Sequence, residues 1–106
     1  MALFPASGGG NMTMRKKSFT DIVVTVISDG TNETFIVGGR GSTVTLNGWT
    51  TIATITDSDF IPTTAKRGIA TDANGLSKQA EFSNTGAISV YGTSGTYTNP
   101  YISIVG

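Results

Sequence analysis

The sequence predicts an all-β fold, an antiparallel β-sandwich of jelly-roll type with an extended N-terminal arm. Three observations predict it. Apolar residues recur at every second position, as in Gly86-Ala-Ile-Ser-Val-Tyr91 and Tyr101-Ile-Ser-Ile-Val105, the period of a half-buried strand. The pairs Asp29-Gly30, Asn47-Gly48 and Asn74-Gly75 are strong hairpin signals. Helical spacing is confined to Leu76–Phe82, a stretch too short to be stable as an isolated helix.

Each element follows from its residues. Residues 1–17 form an arm: an apolar lead with Leu3, Phe4 and Pro5, a Ser7-Gly8-Gly9-Gly10 link, and the basic run Arg15-Lys16-Lys17. Residues 18–106 form the folded domain. Phe19–Ile27 reads as one long strand ending at Asp29-Gly30, and Thr34–Val37 as its hairpin partner. Gly38-Gly39-Arg40-Gly41 reads as a turn, since its spacing fits no phosphate-binding loop. Ser42–Asn47 alternates, with Val44 and Leu46 on one face, and Asn47-Gly48 predicts a tight hairpin into Trp49–Thr56. There Ile52 and Ile55 break strict alternation, which a β-bulge near Ala53 reconciles. Asp57-Ser58-Asp59 is a turn, and Pro62 forces Ile61 into an extended crossing. Lys66–Ala73 and Leu76–Phe82 flank Asn74-Gly75, and Ala87–Tyr91 and Tyr101–Val105 complete a set of about eight short strands.

Composition narrows function. The chain has 106 residues, seven basic and seven acidic, with no cysteine and no histidine. A domain of this size buries only about two-thirds of its unfolded surface. Without disulfides, oligomerisation is the expected supplement. Zero net charge argues against nucleic acid as a partner. No apolar run reaches the ~18 residues of a membrane span, and Met1–Pro5 is too short for the apolar core of a secretory signal. Thr and Ser are abundant and charged residues make up 13% of the chain, so strand surfaces can be buried against copies of themselves with few charges to desolvate.

No catalytic constellation emerges. A hydrolytic triad needs His or Cys beside the nucleophile, and neither is present. Asp57 and Asp59 lack the spacing of a calcium loop, and nothing singles out Asp72 with Glu81 as a glycosidase pair. No catalytic residue, metal ligand or cofactor is expected. Among the aromatics, Tyr97 lies in a Gly/Ser/Thr loop and is the leading candidate for stacking on a sugar, with Tyr91 and Trp49 behind it. For Trp49 the competing reading is a core plug.

Four segments carry a family likeness: Gly48-Trp-Thr-Thr-Ile-Ala-Thr-Ile55, Phe60-Ile-Pro62, Gly86-Ala-Ile-Ser-Val-Tyr91 and Tyr101-Ile-Ser-Ile104. Together they resemble the small trimeric knob domains of tailed-phage fibres, baseplates and receptor-binding proteins, departing at Ile61, where Arg is common. The resemblance covers somewhat over half of the chain and implies a homotrimer on a virion surface. With its own Met1 and no long shaft, the chain looks like a stand-alone knob: a head decoration, head fibre or small tail component. Leu3, Phe4, Pro5, Arg15, Lys16 and Lys17 are then the expected anchor to a capsid or tail protein, and a host-surface glycan is a possible further partner.

Overall fold

The computed structural model describes residues 12–106. The anchor residues Leu3, Phe4 and Pro5 lie outside the described residues. Ten strands follow in order: β1 Thr13–Phe19, β2 Ile22–Ser28, β3 Glu33–Arg40, β4 Val44–Thr45, β5 Gly48–Thr54, β6 Lys66–Thr71, β7 Ser77–Phe82, β8 Ala87–Gly92, β9 Thr96–Tyr97 and β10 Tyr101–Val105, with one 3-10 turn at Ser58–Phe60. Eight of them make one antiparallel sheet in the order β1-β2-β3-β10-β6-β7-β8-β5, while β4 and β9 pair separately.

Alternation places the core on one face of this sheet. Val24, Val26, Phe35, Val37, Ala80, Phe82, Ile88, Val90, Ile102 and Ile104 are all buried. The sheet curls so that its two halves enclose them. Phe35 on β3 meets Phe82 on β7 edge to face at 6.2 Å, although two strands separate β3 from β7 in the sheet. Small inward residues on β6 and β7, Gly68, Ala70 and Ala80, leave space for those rings. At Gly68 a Cβ would lie 2.3 Å from the Ser103 carbonyl oxygen. Each fully buried Ile, Val or Phe contributes about 1.5–3 kcal/mol, well above the ~0–1 kcal/mol of an exposed ion pair, so this apolar face decides the fold.

Several local expectations hold. Asp29-Gly30 turns β2 into β3: Asp29 Oδ1 accepts from the Thr31 and Asn32 N–H groups at 2.9 and 2.7 Å. The β5–β8 register slips between Thr51 and Ala53, the bulge that the Ile52–Ile55 spacing requires. Leu76–Phe82 yields a strand with Ala80 and Phe82 inward, but Leu76 is exposed.

Other expectations are corrected. The segment read as one strand from Phe19 is a hairpin, because the chain reverses at Thr20-Asp21 and Phe19 pairs with Ile22. Thr20 adopts φ 59°, a conformation that β-branched residues seldom take, so no turn signal marks the site. The arm boundary after Lys17 falls inside β1, and Arg15, Lys16 and Lys17 belong to the sheet. Gly38-Gly39-Arg40 is not a turn but the end of β3, paired with both β2 and β10. Gly39 is required there: its φ is +130°, and a Cβ would sit 2.0 Å from the Asp21 carbonyl oxygen. Asn47-Gly48 does not close a hairpin. It is a corner at which the chain leaves β4, the partner of β9, for β5, the partner of β8.

Candidate functional site

The basic run on β1 divides by alternation. Arg15 Nε donates to the Asp59 carbonyl oxygen at 2.8 Å and Nη2 to Glu33 Oε2 at 3.0 Å. Lys17 Nζ donates to Asp57 Oδ2 at 2.8 Å. Asp57 also caps the 3-10 turn, accepting from the Asp59 N–H. The Lys17 hydrogen bond, followed by that N–H, holds the Asp57 carboxyl below its ordinary range. Phe19 and Phe60 pack edge to face at 5.7 Å beneath these contacts. Arg15 and Lys17 therefore fasten β1 to the Ser58–Phe60 turn. Lys16, exposed on the opposite face, has no such tie among the described contacts.

The three aromatic candidates are not brought together. Tyr97 is a correction: it is 1% exposed, and its phenolic O–H donates toward the carbonyl oxygens of Ala70 at 2.8 Å and Leu76 at 2.7 Å. Its loop composition suggested exposure, but β9 folds inward and the ring plugs the end of the β6–β7 hairpin. Burial, and then the nearby Asp72 charge, push its ionisation upward. A ligand cannot stack on it.

Trp49 and Tyr91 lie outward instead. They are directly opposite on β5 and β8, with ring centroids 5.3 Å apart, and Trp49 is 41% exposed. The core-plug reading of Trp49 is thus reversed. Arg67 on β6 reaches over the indole at 5.1 Å while its Nε donates to Glu81 Oε2 at 2.8 Å. The same outer face carries Ile69 at 55% exposure, Val105 at 65%, and Ile36. Register ties them into a strip: Ile69 faces Ser103 across β6 and β10, and Val105 faces Ile36 across β10 and β3.

A second feature lies where the ends of β3, β6 and β10 meet. Arg40, Thr71, Asp72, Ala73, Asn99 and Tyr101 line an open cleft of about 440 Å³. Arg40 Nη1 donates to the Asn99 carbonyl oxygen at 2.8 Å, and its guanidinium lies 5.6 Å from the Tyr101 ring centre. Asn99 is held at φ 41° and its N–H donates to Thr43 Oγ1. Asp72 is 5% exposed. Its Oδ1 accepts from the Asn74 and Leu76 N–H groups at 3.0 and 2.9 Å, whereas its buried Oδ2 has no hydrogen-bond partner among the described residues. Sequence reasoning weighed Tyr101 only as a strand aromatic and Arg40 only as part of a glycine-rich turn, and did not bring them together with Asn99, because the three lie in separate elements. The available signal was the spacing Asp72-Ala-Asn-Gly75, in which the first Asp bonds the turn N–H groups.

Asp72 and Glu81 do not form a glycosidase pair. Ser77, opposite Thr71, and Glu81 are four residues apart along β7, roughly 13 Å at strand rise, which exceeds the span such a pair bridges. Among the described residues no group of three or more acidic side chains is placed to hold a metal. No protein-family model matches the chain, and no curated protein matches it significantly.

Proposed function

We propose that this chain is a structural protein of a tailed-phage virion, a surface-displayed knob that assembles as a homotrimer and acts without catalysis. The observation that carries this reading is the exposed strip of Trp49, Tyr91, Ile69, Val105 and Ile36 across the outer face of the sheet. Gln79 on β7 lies between Tyr91 and Ile69, so the strip is interrupted, but several large apolar side chains exposed on one sheet face mark an interaction site. The strip is bordered by the polar strand residues Thr51, Ser89 and Gln79 and crossed by the Arg67–Glu81 ion pair, in which Arg67 also lies over the Trp49 ring. Attachment to the particle is assigned to residues 1–11 together with Lys16, since Arg15 and Lys17 are engaged within the fold.

The molar mass of the full chain in solution tests the assembly claim. Three chains per particle are expected, with Ile69→Lys shifting the mass to one chain while the β-sheet circular dichroism stays unchanged. A single-chain mass at high micromolar concentration would overturn it. Attachment is tested separately, by deleting residues 1–11 and measuring association with the particle: loss supports the anchor, and full retention removes it.

A second reading, host adhesion through a glycan, is favoured by the Trp49–Tyr91 pair, whose paired exposed rings suit the apolar face of a sugar. On this reading the Trp49–Tyr91 pair stays open to solvent in the assembled particle, so it competes with burial of that pair in the trimer interface.

A further inference from the structure

We propose that the cleft between Asp72, Arg40, Asn99 and Tyr101 is a binding site for a neutral saccharide, distinct from the Trp49–Tyr91 pair. The inference rests on the adhesion reading, and it moves the contact to residues that sequence reasoning did not select. Tyr101 lies on β10, three strands from Tyr91 on β8.

Asp72 marks the site. A carboxylate that is 5% exposed, with one oxygen lacking a partner, leaves a strong acceptor unsatisfied. Such a group costs about 1–3 kcal/mol or more, and most buried polar groups avoid the cost by finding a donor. Oδ1 is committed to the turn and fixes the carboxylate in place. Oδ2 is the group still able to accept. It is buried in the free chain, in a residue that lines the cleft, so a ligand reaches it as the side chains around it move.

The rest of the cleft defines the ligand class. One carboxylate and one guanidinium line the same space, so neither an anion nor a cation gains from its net charge. Arg40 disfavours a metal ion next to Asp72 by direct repulsion. The required ligand is neutral, donates to an oxygen at the floor, and accepts from Arg40 or the Asn99 amide. It must also present an apolar face to Tyr101, which is exposed and already in contact with Arg40. A pyranose meets all of these conditions: its hydroxyls donate and accept, and its C–H face packs on an aromatic ring.

Titration of the ¹⁵N-labelled full chain with neutral disaccharides of glucose, galactose and mannose tests the assignment. Saturable amide shifts are expected at Thr71–Ala73 and Asn99–Tyr101 for at least one sugar, with no dependence on added calcium. Asp72→Asn should weaken that binding tenfold or more. Should Asp72→Asn fail to fold, Tyr101→Ala provides the same reading from a solvent-exposed position, and Met14→Ala on β1 serves as the control with unchanged binding. Absence of cleft shifts with every sugar would overturn the proposal, as would wild-type affinity in Tyr101→Ala or a calcium requirement. Sugar binding that disappears in Trp49→Ala but survives in Tyr101→Ala would overturn the cleft while leaving adhesion intact.

Discussion

Replacing Tyr97 by Phe separates a structural tyrosine from a ligand-binding one. The ring is 1% exposed and its hydroxyl reaches two backbone carbonyls, Ala70 at 2.8 Å and Leu76 at 2.7 Å. Removing the oxygen leaves the ring packing in place. The loss is the hydroxyl's hydrogen bonding to these carbonyls, of which Leu76 still accepts from the Asp72 N–H at 3.1 Å, giving about 1–2 kcal/mol in total. Tyr97→Ala also removes the ring and should cost about 3–5 kcal/mol. Urea unfolding followed by circular dichroism reads both. With a slope of about 1.5 kcal/mol per molar, typical of a small domain, Tyr97→Phe lowers the midpoint by roughly 1 M. An alkaline signature accompanies it. Burial raises the folded-state pKa of Tyr97 above the ordinary 10.0, so this stabilisation is present below pH 10 and disappears as pH rises through the folded value. Tyr97→Phe should lack that component. Unfolding of Tyr97→Phe at the wild-type urea concentration, together with loss of sugar binding or assembly, would refute the structural role of Tyr97.

Three further outcomes follow from particular contacts. Thr20→Asn should stabilise the chain by about 0.5–1 kcal/mol, because Asn tolerates the left-handed conformation that Thr20 adopts; a lower thermal midpoint would contradict the assigned hairpin. Gly39→Ala should destabilise by more than about 2 kcal/mol, since a Cβ meets the Asp21 carbonyl and the φ is strained as well, and wild-type urea stability would show that β3 is wrongly placed. The Asp57 carboxyl is held below its ordinary 3.8, chiefly by Lys17, so its contribution is present above that value and is lost as pH falls through the folded pKa. Asp57→Asn should therefore flatten the fall in thermal midpoint between pH 5 and pH 2, and an unchanged profile would remove Lys17–Asp57 as the source.

Local rules made part of this architecture legible. Ile88 and Val90 alternate cleanly and both are buried, and the Ile52–Ile55 spacing required the bulge between Thr51 and Ala53. What escaped was set by residues distant in sequence. Gly38-Gly39-Arg40 looks like a turn because its glycines are read locally, whereas Gly39 is needed for the close approach of Asp21 across the β2–β3 ladder. Tyr97 sits among loop-forming residues and is buried by the hairpin it plugs, while Trp49, bulky and apolar, is left outward by the pleat of β5. The cleft was illegible for the same reason. Arg40, Asp72 and Asn99 meet only because β10 inserts between β3 and β6.

The single tryptophan of the chain lies on the strip assigned to assembly, so its fluorescence tests the central claim most directly. Trp49 emission and iodide quenching should be measured across a dilution series in parallel with molar mass. As three-chain particles form, emission should shift to shorter wavelength and quenching should fall, with both changes tracking the mass. Assembly without any change at Trp49, or a chain that stays single at every concentration, would contradict the claim that this face is the trimer interface.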